Sequence, residues 1–200
     1  MSKKIEILGK NHIPKEGALI LPGRLDYQEM LQLEQVFSGR KITWLCEENV
    51  ILDQTARAYL ERDSATAVSF SANDEAPQAI GDALRSHLDD GGIMIYLSGL
   101  VTAHNGECCH VSAATLKQLC ALGLPVLPLA VSQPTEIASS PENTSRLPSS
   151  IFSFSALIPA KDVSPAAWRQ AIYAADEISF SSRSFLEGSL PITLIAGLKK

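Results

Sequence analysis

The sequence predicts an α/β domain: a single three-layer unit with a largely parallel β-sheet flanked by helices. Three observations predict it. The runs GALILP at 17–22, GIMIYL at 92–97 and PVLPLAV at 125–131 are apolar without polar alternation, as strands buried on both faces are. Stretches of helical period lie between the apolar runs, clearest at 26–37, where Met30, Leu33 and Phe37 recur on one face. Turn residues mark the junctions: Pro22-Gly23, Asp89-Asp90-Gly91-Gly92 and Gly123.

Taken in order, KIEIL at 4–8 reads as an edge strand and GALILP at 17–22 as a buried one. Asp26 has the residue type and place of an N-cap for a helix over 27–37. KITWLC at 41–46 is a strand, and 50–62 a helix with Ile51, Leu52, Ala56, Tyr59 and Leu60 on one face. ATAVSF at 65–70 is a strand. Asp74 caps a helix that runs to about His87 and stops at the Asp-Asp-Gly-Gly turn. After the strand at 92–97 comes a loop over 98–111, then a helix from Ser112 through Leu122 that Gly123 ends. The strand at 125–131 leads into a loop rich in Ser and Pro at 132–149. FSFSALI at 152–158 alternates as a strand does, and Ser164-Pro165 opens a helix to about Phe185. Trp44 and Trp168 read as core aromatics.

Composition narrows the function classes. The chain has 200 residues, 46% apolar and 20% charged, enough for one domain with a substantial core. A formal net charge of -5 argues against a nucleic-acid partner, because phosphate binding demands clustered Lys and Arg. The cysteines, Cys46, Cys108, Cys109 and Cys120, form no CxxC pair and no disulfide framework, which points to a reducing cytosol. No apolar stretch follows the basic start as a secretory signal requires, and no run approaches the roughly 20 residues of a spanning helix. The expectation is a cytoplasmic protein, soluble or peripheral on the inner face of the membrane.

Three segments carry a resemblance. Residues 11–29 read NHIPKEGALILPGRLDYQE, residues 91–102 read GGIMIYLSGLVT, and residues 123–131 read GLPVLPLAV. In this order they resemble the glycerolipid acyltransferase family, which esterifies lysophosphatidic acid and related lysophospholipids. The likeness covers roughly residues 9–160 and implies that family's fold. It also implies an acyl donor, acyl-coenzyme A or acyl carrier protein, as co-substrate with no other cofactor. The family carries a His-x4-Asp motif after its first strand and a Phe-Pro-Glu-Gly-Thr-Arg motif later. In the first motif the His removes a proton from the acceptor hydroxyl and the Asp orients that His. In the second, the Glu-Gly-Thr-Arg loop is thought to hold the glycerol phosphate.

This chain departs from both motifs. Arg24 stands in the His slot and Glu29 in the Asp slot; Ser98 stands for the Glu and Val101 for the Arg. A guanidinium has no acceptor and stays protonated, so Arg24 cannot be the base. Glu29 is a carboxylate, but a neighbouring Arg24 would depress its pKa and weaken it as a base. Ser98, Gly99, Leu100 and Val101 offer no charge to a phosphate. The expectation is an acyltransferase-like domain without the standard chemistry, with Arg24 and Glu29 at the motif positions and Ser98–Val101 as candidate substrate-binding residues. Alternatives stand beside it: an active enzyme with Glu29 as substituted base, or a structural module with no lipid ligand.

The remaining candidates read as structure. Arg24 and Glu29 suit a rim ion pair at a helix start, and Ser98-Gly99 a turn without the full G-x-S-x-G elbow. His104, Cys108, Cys109 and His110 lack zinc spacing, so no metal is expected. His12 lies on the loop before a strand with no predicted partner. The partners expected are a lipid, an acyl carrier or a membrane surface, the last suggested by the apolar tail ending in Lys199-Lys200. In some bacterial members of the family this domain is fused to a transporter and an acyl-activating ligase. The chain is therefore read as one domain over 1–200 that also suits an excised piece of a larger protein.

Overall fold

The computed structural model describes residues 5–23, 25, 27–47, 58, 60, 66–70, 77–97, 111, 113–132 and 150–186. The strands are β1 (Ile5–Leu8), β2 (Ala18–Pro22), β3 (Ile42–Glu47), β4 (Thr66–Phe70), β5 (Ile93–Leu97), β6 (Val126–Ser132) and β7 (Ser150–Phe154). The helices are α1 (Tyr27–Val36), α2 (Pro77–Asp89), α3 (Ala113–Ala121) and α4 (Pro165–Leu186). The strands form one seven-stranded sheet in the order β1-β7-β6-β2-β5-β3-β4. β6, β2, β5, β3 and β4 are mutually parallel, while β7 runs antiparallel to β6 and carries β1 parallel to itself. The predicted class, a largely parallel α/β sheet in three layers, is the one observed.

Strand alternation builds the layers. Ala18 and Ile20 of β2 and Ile93, Ile95 and Leu97 of β5 pack with Met30, Leu33 and Phe37 around α1. Leu19, Leu21, Met94 and Tyr96 point the other way, onto Leu84 and Leu88 of α2, Leu116 and Leu119 of α3, and Trp168 of α4. All five residues of β2 and of β5 are buried, which explains why neither run alternates in polarity. Close approach decides two glycines. A Cβ on Gly81 would strike the backbone of Leu122, and one on Gly17 would strike the backbone of Leu88. These contacts set the α2–α3 distance and the entry to β2 respectively.

Three boundaries differ from expectation. α2 begins at Pro77, whose fixed φ suits a first turn, and runs on to Asp89; Asp74 lies outside the described residues. β7 occupies Ser150–Phe154 rather than 152–158. Leu129 pairs with Phe154, but the next bridge joins Val126 to Ile158, so β7's side holds one extra residue. Pro128 lies at that bulge; it has no N–H to donate, and its carbonyl accepts from Ser155 N–H at 3.1 Å. β1 is an edge strand as read, but it adds beside β7, a pairing no local pattern announces. The helix read over 50–62 and the loops read over 98–111 and 132–149 lie outside the described residues, apart from helical Ala58 and Leu60, Val111, and Ser132, which ends β6.

Candidate functional site

In an open α/β sheet, a crevice forms at the carboxyl ends of adjacent strands whose connections leave in opposite directions. β2 and β5 are such a pair. The chain leaves β2 through α1 on one face toward β3, and leaves β5 through α3 on the other face toward β6. The parallel register, Ala18 with Ile93 through Ile20 with Ile95, brings both carboxyl ends to one edge of the sheet. Arg24 follows the first strand and Ser98 the second. Topology thus puts side by side two strand ends separated by 75 positions, from Pro22 to Leu97.

Of the residues singled out in the sequence, Glu29 is the one whose side chain the structure describes at this edge. It lies in the first turn of α1 and is 0% exposed. The rim position expected for it is therefore not where it sits. Its helical phase explains this: Glu29 adjoins Met30 and precedes Leu33 on the α1 stripe that packs against the sheet. The helix N-terminus favours a negative charge there, and burial requires that the carboxylate be partnered; Glu29 is engaged in an interaction rather than left alone. Arg24, Asp26, Ser98, Gly99, Leu100 and Val101 lie outside the described residues, as do His104, Cys108, Cys109 and His110. Among the described residues, no group of three His, Cys, Asp or Glu is placed to hold a metal ion.

Other groups approach the same edge. Trp168, a core aromatic as predicted, also donates its indole N–H to Leu21 O at 3.1 Å. A Cβ built on Gly23 would lie 3.5 Å from Ile172 Cγ2, so α4 runs alongside the end of β2. Cys46 pairs with Leu97 near the mouth and is a thiol that sequence reasoning did not weigh here. Burial pushes it up to about 11, so at neutral pH it is an inert thiol rather than a nucleophile. The same cause raises Cys120 to about 11.

The opposite edge holds what the sequence reading missed. Arg40 donates to Gly91 O at 2.7 Å, Pro14 O at 2.8 Å, Lys15 O at 3.2 Å and Glu16 O at 2.7 Å. It joins the segment entering β2 to the turn entering β5. Burial lowers its pKa and the charge of Glu16 raises it. His12, read without a partner, has one: its Nδ1 lies 2.8 Å from Phe154 O and donates to it. Neither contact has a local signal, since both partners are backbone carbonyls far away in sequence.

The comparisons fit this architecture. No protein-family model and no curated protein sequence matches the chain. Among solved structures, the 1-acyl-sn-glycerophosphate (LPA) acyltransferase PlsC from Thermotoga maritima matches with a TM-score of 0.52 and 12% identity, over 94% of this chain and 74% of that one. Among the described residues, no helix is long and apolar enough to cross a membrane. At 12% identity the likeness is one of fold, and the fold of this chain is acyltransferase-like.

Proposed function

We propose that this chain is an acyltransferase-like domain that binds an acyl group, its carrier or a lysophospholipid at the β2–β5 edge without performing the family's general-base step. The observation that carries the reading is Glu29: a carboxylate in the Asp slot, 0% exposed in the first turn of α1. A side chain so enclosed supports a neighbour rather than receiving a proton from a substrate hydroxyl, which must come within about 3 Å of its base. In this reading Glu29 holds Arg24, and Arg24 presents a fixed positive charge to the phosphate or carboxylate end of a ligand. Ser98, Gly99, Leu100 and Val101, which follow β5 in the chain, are the candidate substrate-binding residues and bring no charge. No metal or organic cofactor takes part; acyl-coenzyme A or acyl carrier protein is the source of the acyl group. The domain spans 1–200 and works on the cytoplasmic face of a membrane, beside or fused to an acyl-activating ligase or a transporter.

The test is an acyl-transfer assay on purified protein, with acyl-coenzyme A or acyl carrier protein and a panel of lysophospholipids. Wild type is expected to give no turnover, and the double substitution Arg24→His with Glu29→Asp to gain it. Turnover by wild type that Glu29→Gln abolishes, with circular dichroism unchanged, would overturn the reading in favour of Glu29 as a working base.

A further inference from the structure

α4 is buried along one side. Trp168 and Ala175 are buried, and Ala171 packs against the same core as Trp168. At about 100° per residue, the opposite side of the helix centres on Tyr173. Ala166, Arg169, Gln170, Asp176 and Glu177 fall within about 60° of it, and all of them are exposed. Tyr173 is 67% exposed, more than any other large apolar side chain among the described residues. The stripe is symmetric about Tyr173 in spacing and opposite in charge. Arg169 lies four residues before it and Glu177 four residues after, about 6 Å along the axis in either direction. Tyr173 donates its hydroxyl to the Glu177 carboxylate and holds it in place. The Arg169 guanidinium makes no ion pair among the described residues.

We propose that this stripe is a two-fold contact between two copies of the chain, with the α4 helices antiparallel and Tyr173 on the axis. In a two-fold contact, residue i meets j and j meets i. An axis at Tyr173 therefore sets Arg169 of each copy opposite Glu177 of the other, and Gln170 opposite Asp176. Charge also selects against the alternatives. Parallel helices would set Arg169 against Arg169 and Glu177 against Glu177. An antiparallel pair centred between Asp176 and Glu177 would bring four carboxylates together, and like charges across a contact repel. At the Tyr173 register the two rings meet in the middle, with a guanidinium within reach of each. Aromatic and Arg side chains at the centre are the usual anchors of a contact between proteins. The stripe is about 18 Å long. Its contact falls below the roughly 1,200 Å² of a stable complex, so dissociation is expected on the order of 10 µM. The candidate site is not consumed. On the other side of α4, Trp168 bonds Leu21 O and Ile172 lies beside Gly23, so the two copies carry their β2 ends on opposite sides of the helix pair.

The experiment is sedimentation velocity on the full chain, from about 1 to 300 µM. It compares wild type, Arg169→Glu, Glu177→Arg, and an equimolar mixture of these two variants. Wild type is expected to pass from 21.5 kDa to twice that mass as concentration rises. Each variant alone sets like charges opposite each other twice, and is expected to associate at least about tenfold more weakly. In the mixture, a chain with two acids at these positions meets one with two arginines. Both facing pairs are then opposite in charge, and dimers are expected to return at wild-type strength. Tyr173→Ala is expected to weaken association about tenfold as well. Arg169 and Glu177 are exposed, so both variants keep the fold, which circular dichroism checks. Wild type that stays monomeric throughout would overturn the proposal. So would a dimer that neither charge variant weakens, or a mixture that fails to recover, since the two charges would then not face each other.

Discussion

The two edges of the sheet are built in opposite ways. At the amino edge, backbone and side chain are tied together: Arg40 serves four carbonyls, Leu88 O accepts from both Gly17 and Gly91 N–H, and Gly17 packs directly on Leu88. At the carboxyl edge of β2 and β5, a ladder bond is withheld by Pro22 and a buried carboxylate sits at the start of α1. The difference shows where this fold ties its central strands together. One end fixes the spacing of the central strands so that the other can carry loops and binding groups.

Removing the clamp tests this contrast hardest. Arg40→Ala leaves four carbonyls without their charged donor and is expected to cost about 2–3 kcal/mol, a fall in melting temperature of about 5–10 °C by circular dichroism. Arg40→Lys is expected to recover only part of it, because an ammonium cannot copy the planar fork. A loss under about 2 °C would mean the amino edge does not depend on this side chain. Gly81→Ala comes next. In an isolated helix it would stabilise by about 1 kcal/mol, but here the Cβ meets the Leu122 backbone, so a net loss of about 1–2 kcal/mol is expected in urea unfolding. Trp168→Phe keeps most of the packing and removes the hydrogen bond to Leu21, for about 1 kcal/mol. Its denaturation midpoint should move less than that of Arg40→Ala, and the reverse order would break the comparison between the edges.

The smallest effect is in pH. Burial raises the thiols of Cys46 and Cys120 from 9.0 to about 11. A raised pKa means the folded state holds its proton more tightly. This stability is therefore fully present below pH 9.0 and is lost as pH rises through about 11. Denaturation midpoints measured across that window should fall, and fall less in Cys46→Val. An equal fall in both proteins would show that Cys46 contributes nothing to it.

How much was legible follows from the range of the forces involved. Strands β2, β5 and β6 showed as apolar runs because burial on both faces removes polar alternation. α1 and α4 showed as periodic segments with sensible starts, and Gly91 and Gly123 showed as stops, both adopting positive φ. β7 was misplaced by two residues at its start and four at its end, because its alternation continues through a bulge that only the partner strand reveals. At the site, the resemblance singled out Arg24 and Glu29, but the complete burial of Glu29 was not legible. Its type suggested a rim, and only the packing of α1 on the sheet placed it inside. Arg40 and His12 were missed for the same reason in reverse: their partners are carbonyls, which look alike in every sequence.

By itself, the sequence determined the layers and the order of the elements. Each of these follows from residue type and from periods of two or three to four residues, which are local properties. The tertiary structure alone decided that β5 enters between β2 and β3, that β7 reverses to carry β1, and which strand ends meet at the carboxyl edge. It also turned Pro22 from a strand-ending residue into a missing donor on one particular side. Those outcomes depend on which strand lies beside which, a choice made by packing both faces of the sheet at once rather than by any short stretch of chain.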